Sequence, residues 1–452
     1  MARYAIVLLI VTLRAPTRLL ANPPEPVPTP STLPSAPVPP AGDNTTPRLE
    51  TTDSIPLGTT ITLQNWQSFK QFMPDCMTAF FEGKYFWKMP ADVSMEIGAT
   101  VDYPLPKNYI EATEKYASQV KLIELPDGGL TLINYHGGIP FPNPQEPHKG
   151  WKVLANLWYR YMPHLIAQTY GYTCGLDALG ASSCITLQYV LRQFAFNTDP
   201  GFAATGGYAD IFFTNWFMVL EPEQQKYTTT LSIVYADPAR AEDSYVFLPS
   251  LRRYQTLSAL ARCSETAGTD ATHDDYQFGF DSNITQLKVD YVAHRKILSL
   301  ADVVLPKESF PAGFDLPLGW PRPSMGKWQL RDVDEISISK LPSSGGSVCY
   351  SKRVLYIDSH FYTPLWVENY GRDLKPARFH AIFPHTVEAP GIGPVNASGA
   401  DVEVFWNLVQ NHATFTVEPA LNGKHYINEQ APKEFDDLPR YSTPSGLNLI
   451  MR

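Results

Sequence analysis

Two periodicities divide the chain. Between Thr60 and Met162, apolar residues recur at three- and four-residue spacing, the repeat of helices with one buried side. In LQNWQSFKQFM, Trp66, Phe69 and Met73 share a face, and Pro74 interrupts it. NYIEATEKYASQV opens with Asn108 as a candidate cap and stacks Tyr109, Ala112, Tyr116 and Val120. GWKVLANLWYRYMP stacks Trp151, Leu154, Ala155 and Trp158, with Pro163 as its expected stop. Each predicted helix needs a flat apolar surface to lie on.

From about Leu187 the period falls to two, the repeat of strands. KYTTTLSIVYADP puts Leu231, Ile233 and Tyr235 on one face and Thr230 and Ser232 on the other. SYVFLPSLRRYQTLS, LKVDYVAHRKILSL, GKWQLRDVDEISISK, ARFHAIF and HATFTVEP continue the style, with LNG as a turn before KHYIN. Helices followed by consecutive strands with short turns predict an α+β fold around a large, curved antiparallel sheet. YSKRVLYIDSHFYTPLWVENYG reads as one hairpin of it, with Asp358 starting the turn. Glu368 shares a face with Tyr362, Pro364, Trp366 and Tyr370, which predicts a wetter side there. Leu355, Leu365 and Val367 are then expected to meet the core and the helices.

Composition narrows the class. Of 452 residues, 44% are hydrophobic and the formal net charge is -9 without basic clusters, so a nucleic-acid partner is excluded. MARYAIVLLIVTLRAPTRLLA has Arg3, an apolar run from Tyr4 to Leu13 and a cleavage candidate at Ala21, which predicts a signal peptide over 1–21. Residues 22–54 form the expected linker, since ten prolines in the twenty-six positions 22–47 hold a chain extended. A single domain is then expected over 55–452, exported to the periplasm or outer membrane. Of five cysteines, Cys174 and Cys184 stand where Gly175 and Gly180 let the chain double back; they pair in a disulfide or remain buried thiols.

YHGGIPFPNPQEPHKGWKVLANLWYRY, VYADPARAEDSYVFLPSLRRYQTLSA, GTDATHDDYQFGF and YSKRVLYIDSHFYTPLWVENY occur in order along the chain. Together they resemble an exported bacterial domain-of-unknown-function family labelled outer-membrane lipoprotein-sorting protein. The resemblance spans roughly 55–450. It implies the fold of the periplasmic lipoprotein carriers, an incomplete β-barrel with a helical lid over an apolar cavity. It implies a lipid-like ligand and, as a partner, an inner-membrane lipid-exporting permease. His273 stands where relatives carry tryptophan, and the Cys174–Cys184 pair is not general to the family.

The chain lacks GxSxG, HExxH, Walker and GxGxxG patterns, and no catalytic residue, cofactor or metal site is expected from motifs. Its densest polar group is Asp270, His273, Asp274 and Asp275. Carboxylates beside an imidazole suit a divalent cation or acid–base work in an envelope hydrolase; the plainer reading is a turn between strands in which Asp275 pairs with Arg252 or Arg253. A cavity-facing Arg252 or Arg253 would take an acidic head group. Tyr276, Phe278, Trp328, Tyr356 and Trp366 complete the expected ligand-binding set. A protein-binding scaffold acting through a sheet edge is the third reading.

Overall fold

A computed structural model describes residues 54–451 apart from 204–205, 267, 276–279, 345–348, 397–400 and 418–422. Residues 1–53, where the signal-peptide and linker expectations fall, lie outside the described residues, as does the start of the LNG turn.

Fourteen antiparallel strands form one open sheet. Numbered among themselves, β1 is Leu165–Leu176, β2 Ser182–Gln193, β3 Ile211–Glu221, β4 Thr229–Tyr235, β5 Asp243–Leu248 and β6 Arg253–Thr256. A second series follows: β7 Leu287–Leu300, β8 Trp328–Lys340, β9 Lys352–Asp358, β10 Pro364–Tyr370, β11 Pro376–Phe383, β12 Val402–Asn407 and β13 His412–Val417. The spatial order is β6-β5-β4-β3-β2-β1-β13-β12-β11-β10-β9-β8-β7, with β14 (His425–Ile427) added beside β1. The sheet is thus two meanders joined through β1 and β13. Its edge strands β6 and β7 are consecutive in the chain, and residues 257–286 run from one edge to the other.

Local chemistry explains the tight turns. Between β1 and β2, Asp177 Oδ1 accepts from the amides of Leu179 and Ala181 at 2.8 and 2.9 Å, and Gly180 takes φ +84°. Cys174 and Cys184 stand directly opposite in that hairpin, 4.0 Å apart at Cα, and are joined. A second disulfide links Cys263 to Cys349, leaving Cys76 buried as a thiol.

Apart from four short strands before it (Thr60–Ile61, Met95–Glu96, Lys121–Glu124 and Leu130–Ile133), strand structure begins with the large sheet at Leu165, earlier than the expected Leu187, because the glycine- and cysteine-bearing β1 carries little alternation. Among the helices, α1 (Asp75–Phe81) follows a 3-10 turn over Trp66–Phe72. The α2 helix (Lys107–Tyr116) is entered through Pro106, whose fixed φ prepares the first turn; Asn108 lies inside the helix and is not its cap. The α3 helix (Lys149–Trp158) stops before Pro163. Its Gly150 lets it lie directly on β7, where a Cβ would come within 2.7 Å of the Tyr291 amide.

Both faces of the sheet are covered. The outer face carries Tyr356, Trp366, Phe379 and Trp406 beneath residues 55–103 and the 301–326 connection, and Trp328 at the end of β8 joins the same core. Farther along, Trp216, Leu231 and Ile233 pack beneath the C-terminal α4 (Leu438–Ser442) and α5 (Pro444–Leu447). The inner face carries Leu191, Ile336, Ile338, Leu355, Ile357 and Val367, packed with α2 and α3.

The hairpin of β9 and β10 corrects the wet-face expectation. Trp366 is fully buried in a stack with Trp320 and Trp406, and its Nε1 donates to the Leu298 carbonyl at 3.1 Å. Glu368 is buried beside it because it serves the first turn of α1: its Oε1 accepts from the Cys76 amide at 2.8 Å and from Tyr356 Oη at 3.1 Å. Tyr370 Oη donates to its other oxygen at 2.8 Å. A bulge opposite Tyr356 and Ile357 turns Leu365 to this same outer core, so Leu365 leaves the face of Leu355 and Val367.

Candidate functional site

The 257–286 segment is built into the inner face by its carboxylates. Asp270 accepts from Asn407 Nδ2 at 3.0 Å and Thr414 Oγ1 at 2.7 Å, and lies 2.6 Å from His412 Nδ1. Asp275 accepts from the Thr272 amide and hydroxyl, Tyr350 Oη at 2.7 Å and Arg353 Nη2 at 3.1 Å. Both are almost wholly buried. Asp275 therefore pairs with Arg353, not with Arg252 or Arg253, because the segment folds inward over β9 and away from edge strand β6. The Cys263–Cys349 bridge fastens the same segment at its base.

Beside this anchored segment lies a cavity of about 400 Å³. One wall is apolar: Trp158 from α3, Phe217 and Val234 from β3 and β4, Phe280, and Ile338 from β8. Strands near opposite edges of the sheet thus face each other across it. Exposed Arg240, Ala241 and Ser258 stand at its rim. The alternation seen in β4 decides its lining, since Thr230, Ser232 and Val234 face inward while Leu231 and Ile233 face the outer core.

The other wall is charged. Arg262 donates to Glu242, to Asp274 Oδ1 at 3.0 Å and to the Asp281 carbonyl at 2.7 Å. His273 Nε2 lies 3.0 Å from Ser232 Oγ and 3.2 Å from Glu242 Oε1, and its Nδ1 is 3.5 Å from Asp281 Oδ2. Burial holds the His273 imidazole below its usual range. Burial, with Glu242 close by, drives the Asp281 carboxyl well above the carboxylate range. Burial acts on Glu242 in the same upward sense, but His273 and Arg262 together outweigh it and its carboxyl stays low. The carboxyls thus differ in proton affinity around one imidazole.

Of the described residues singled out beforehand as site candidates, His273 and Asp274 line this cavity. Arg252 and Arg253 are exposed, Arg252 closing a 3-10 turn with φ 50° and Arg253 opening β6. Trp328, Tyr356 and Trp366 are buried in the core that includes Trp320 and Trp406. Strand parity turns Tyr356 and Trp366 away from the cavity, and Trp328, at the opposite end of β8 from Ile338, is stacked on Trp320. Tyr276 and Phe278 lie outside the described residues. Sequence reading missed Glu242, Arg262, Asp281 and Arg353. None of them belongs to a local motif, and the crossing of 257–286 from β6 to β7 gathers them. The one available signal was the density of carboxylates about His273.

The model of the family described as protein of unknown function (DUF1329) matches residues 60–447, and the chain belongs to that family. No curated protein matches it. Among solved structures, it is similar to an outer membrane lipoprotein-sorting protein domain from Vibrio parahaemolyticus at 14% identity and TM-score 0.43, covering 68% of this chain and 99% of that one. A DUF1329 family protein from Desulfovibrio piger is 9% identical with TM-score 0.44, covering 65% and 98%. A LolA superfamily protein from Nitrosomonas europaea is 11% identical with TM-score 0.36, covering 63% and 96%.

Proposed function

We propose that this DUF1329 member is an exported binding protein that carries a small amphiphile in the cavity between α3 and the inner face of the sheet. The observation behind this reading is the two-sided lining: an aromatic and aliphatic wall opposite a wall of charged and hydroxyl groups. A volume of about 400 Å³ is in the range of small-molecule sites, roughly 300–1,000 Å³. It suits one chain with its polar end toward His273 and Arg262. Two disulfides agree with an oxidising compartment outside the cytoplasm. No helix among the described residues is long and apolar enough to cross a membrane.

Affinity would be moderate. Each buried methylene contributes roughly 0.8 kcal/mol, so a sixteen-carbon chain yields about 12 kcal/mol if fully covered. Association costs of roughly 4–15 kcal/mol offset most of it. Such a balance favours a carrier that releases its cargo, as an accessory to a lipid-exporting permease must.

Titration with a fluorescent fatty-acid probe tests the reading. Val234→Phe narrows the cavity and is expected to weaken probe binding at least tenfold, while Arg252→Ala at the exposed turn leaves it unchanged. A folded Val234→Phe protein that binds the probe like the parent would remove this cavity as the ligand site.

A further inference from the structure

The charged wall of the cavity has a composition that a lipid tail does not explain. Glu242, His273 and Asp281 each offer a ligand atom, and these atoms lie within 4.8 Å of one another. Three carboxylates, Glu242, Asp274 and Asp281, surround one guanidinium, that of Arg262. Arg353 is engaged elsewhere, with Asp275, Asn369 and the Asp274 carbonyl. With all three ionised the formal surplus is two negative charges, and with the proton that burial favours on Asp281 it is one, in a place where His273 and Asp281 are nearly sealed from water. Buried charge without a counter-charge is strongly unfavourable, and one divalent ion would balance this surplus.

A second observation is independent of the carboxylates. Asn215, only 8% exposed, lines the same cavity from β3. It stands directly opposite Ser232 of β4, whose hydroxyl reaches His273. The Asn215 Oδ1 has no hydrogen-bond partner among the described residues. A buried amide oxygen left without a donor is costly, and its natural partner in this position is a cation or a water bound to one.

We propose that Glu242, His273 and Asp281 hold one first-row divalent cation at the polar end of the cavity, with Asn215 completing its surroundings. An imidazole nitrogen among carboxylate and amide oxygens selects zinc or manganese over calcium and magnesium, which favour all-oxygen sets. Arg262 is the positioning residue: by bonding Glu242 and the Asp281 carbonyl it fixes the two ligand-bearing segments at one spacing. The site is separable from the amphiphile reading, because a metal titration contains no lipid.

Calorimetric titration of the metal-stripped full chain with zinc and with manganese tests it. The expected result is one ion per chain for at least one metal, weakened tenfold or more by His273→Gln and by Asp281→Asn. His294→Gln, at the exposed cluster with Asp332 and Asp334, should leave the titration unchanged. If either cavity variant fails to fold, cobalt added to the parent protein gives the readout: absorption bands of a protein-bound ion with nitrogen and oxygen ligands support the site. Bands of the hexa-aqua ion alone overturn it. The absence of stoichiometric uptake of both metals overturns it too, and so does uptake abolished by His294→Gln but indifferent to His273→Gln. In those cases a proton on Asp281 lowers the surplus in place of an ion.

Discussion

The two faces of the same strands follow opposite economies. On the outer face, Trp366 of β10 and Trp406 of β12 stack about Trp320 together with Trp328 from the end of β8, with Phe80 and Phe383 filling the edges. Its buried acids are each consumed locally: Glu368 by the first turn of α1 and two tyrosines, and Asp358 by Arg331 at 2.8 Å. On the inner face, the intervening residues include Arg353, Asn369, His380 and Glu403, and the crossing segment adds Asp270 and Asp275. A close-packed aromatic layer contributes stability in proportion to the area it hides. Buried ion pairs seldom do, because desolvation consumes most of their attraction. The outer face therefore holds the sheet together, and the inner face spends stability on a polar site.

The sharpest way to break this comparison is in the tryptophan stack. Trp366→Ala leaves a hole among Trp320, Trp406 and Phe383 and is expected to cost roughly 3–5 kcal/mol in urea unfolding. Probe affinity of the fraction still folded should be unchanged, because the indole faces away from the cavity. A loss of probe binding with little loss of stability would place the ligand on the outer face and invert the assignment.

A smaller effect is expected from the inner ion pair. Asp275→Asn keeps the shape but removes the charge facing Arg353, and turns an amide donor toward the hydroxyls of Thr272 and Tyr350. A cost of about 3 kcal/mol follows from leaving a buried guanidinium without its counter-ion. It should come with a looser 257–286 segment, read as faster amide exchange there than in the tryptophan stack. Uniform exchange across both regions would mean that Asp275 supports the whole sheet and does not specifically anchor that segment.

Legibility followed the same division. The alternation in β4, β7 and β8 was readable because each strand buries one face more deeply than the other, so polarity repeats every second residue. It failed in β3, whose IFFTNWFMVLE is apolar on both sides because both sides are covered. It misled at Glu368, where a carboxylate among aromatics looked like a wet face. Its partners are the Cys76 amide and Tyr356, and Cys76 lies almost three hundred residues away in sequence. The site was legible only through His273 and its neighbouring aspartates. Glu242 and Arg262 meet them through a crossing between sheet edges, and no local spacing encodes such a crossing.

The mildest test concerns a pair deep in the inner face. His380 Nε2 lies 2.9 Å from Glu403 Oε2, and the imidazole stacks on Phe405. Burial lowers His380 from 6.5 to about 3, and burial followed by repulsion from Asp275 raises Glu403 from 4.5 to about 8. The two shifts act oppositely on stability. Between pH 3 and 6.5 the unfolded chain protonates His380 while the folded one does not, so stability is lost as pH falls through that window. Between pH 4.5 and 8 the folded chain retains a proton on Glu403 that the unfolded chain releases, so stability is lost as pH rises. The contributions cancel from 4.5 to 6.5, and above 6.5 Glu403 acts alone. The full slope for one proton is about 1.4 kcal/mol per pH unit. With 22% of the Glu403 side chain exposed, roughly 1 kcal/mol or less is expected. Glu403→Gln imitates the protonated acid and should flatten this pair's decline in urea-unfolding free energy between pH 6.5 and 8, leaving stability at pH 5 nearly unchanged. If the variant is instead much weaker at pH 5, the pair is an ion pair, and the inner face gains stability from charge after all.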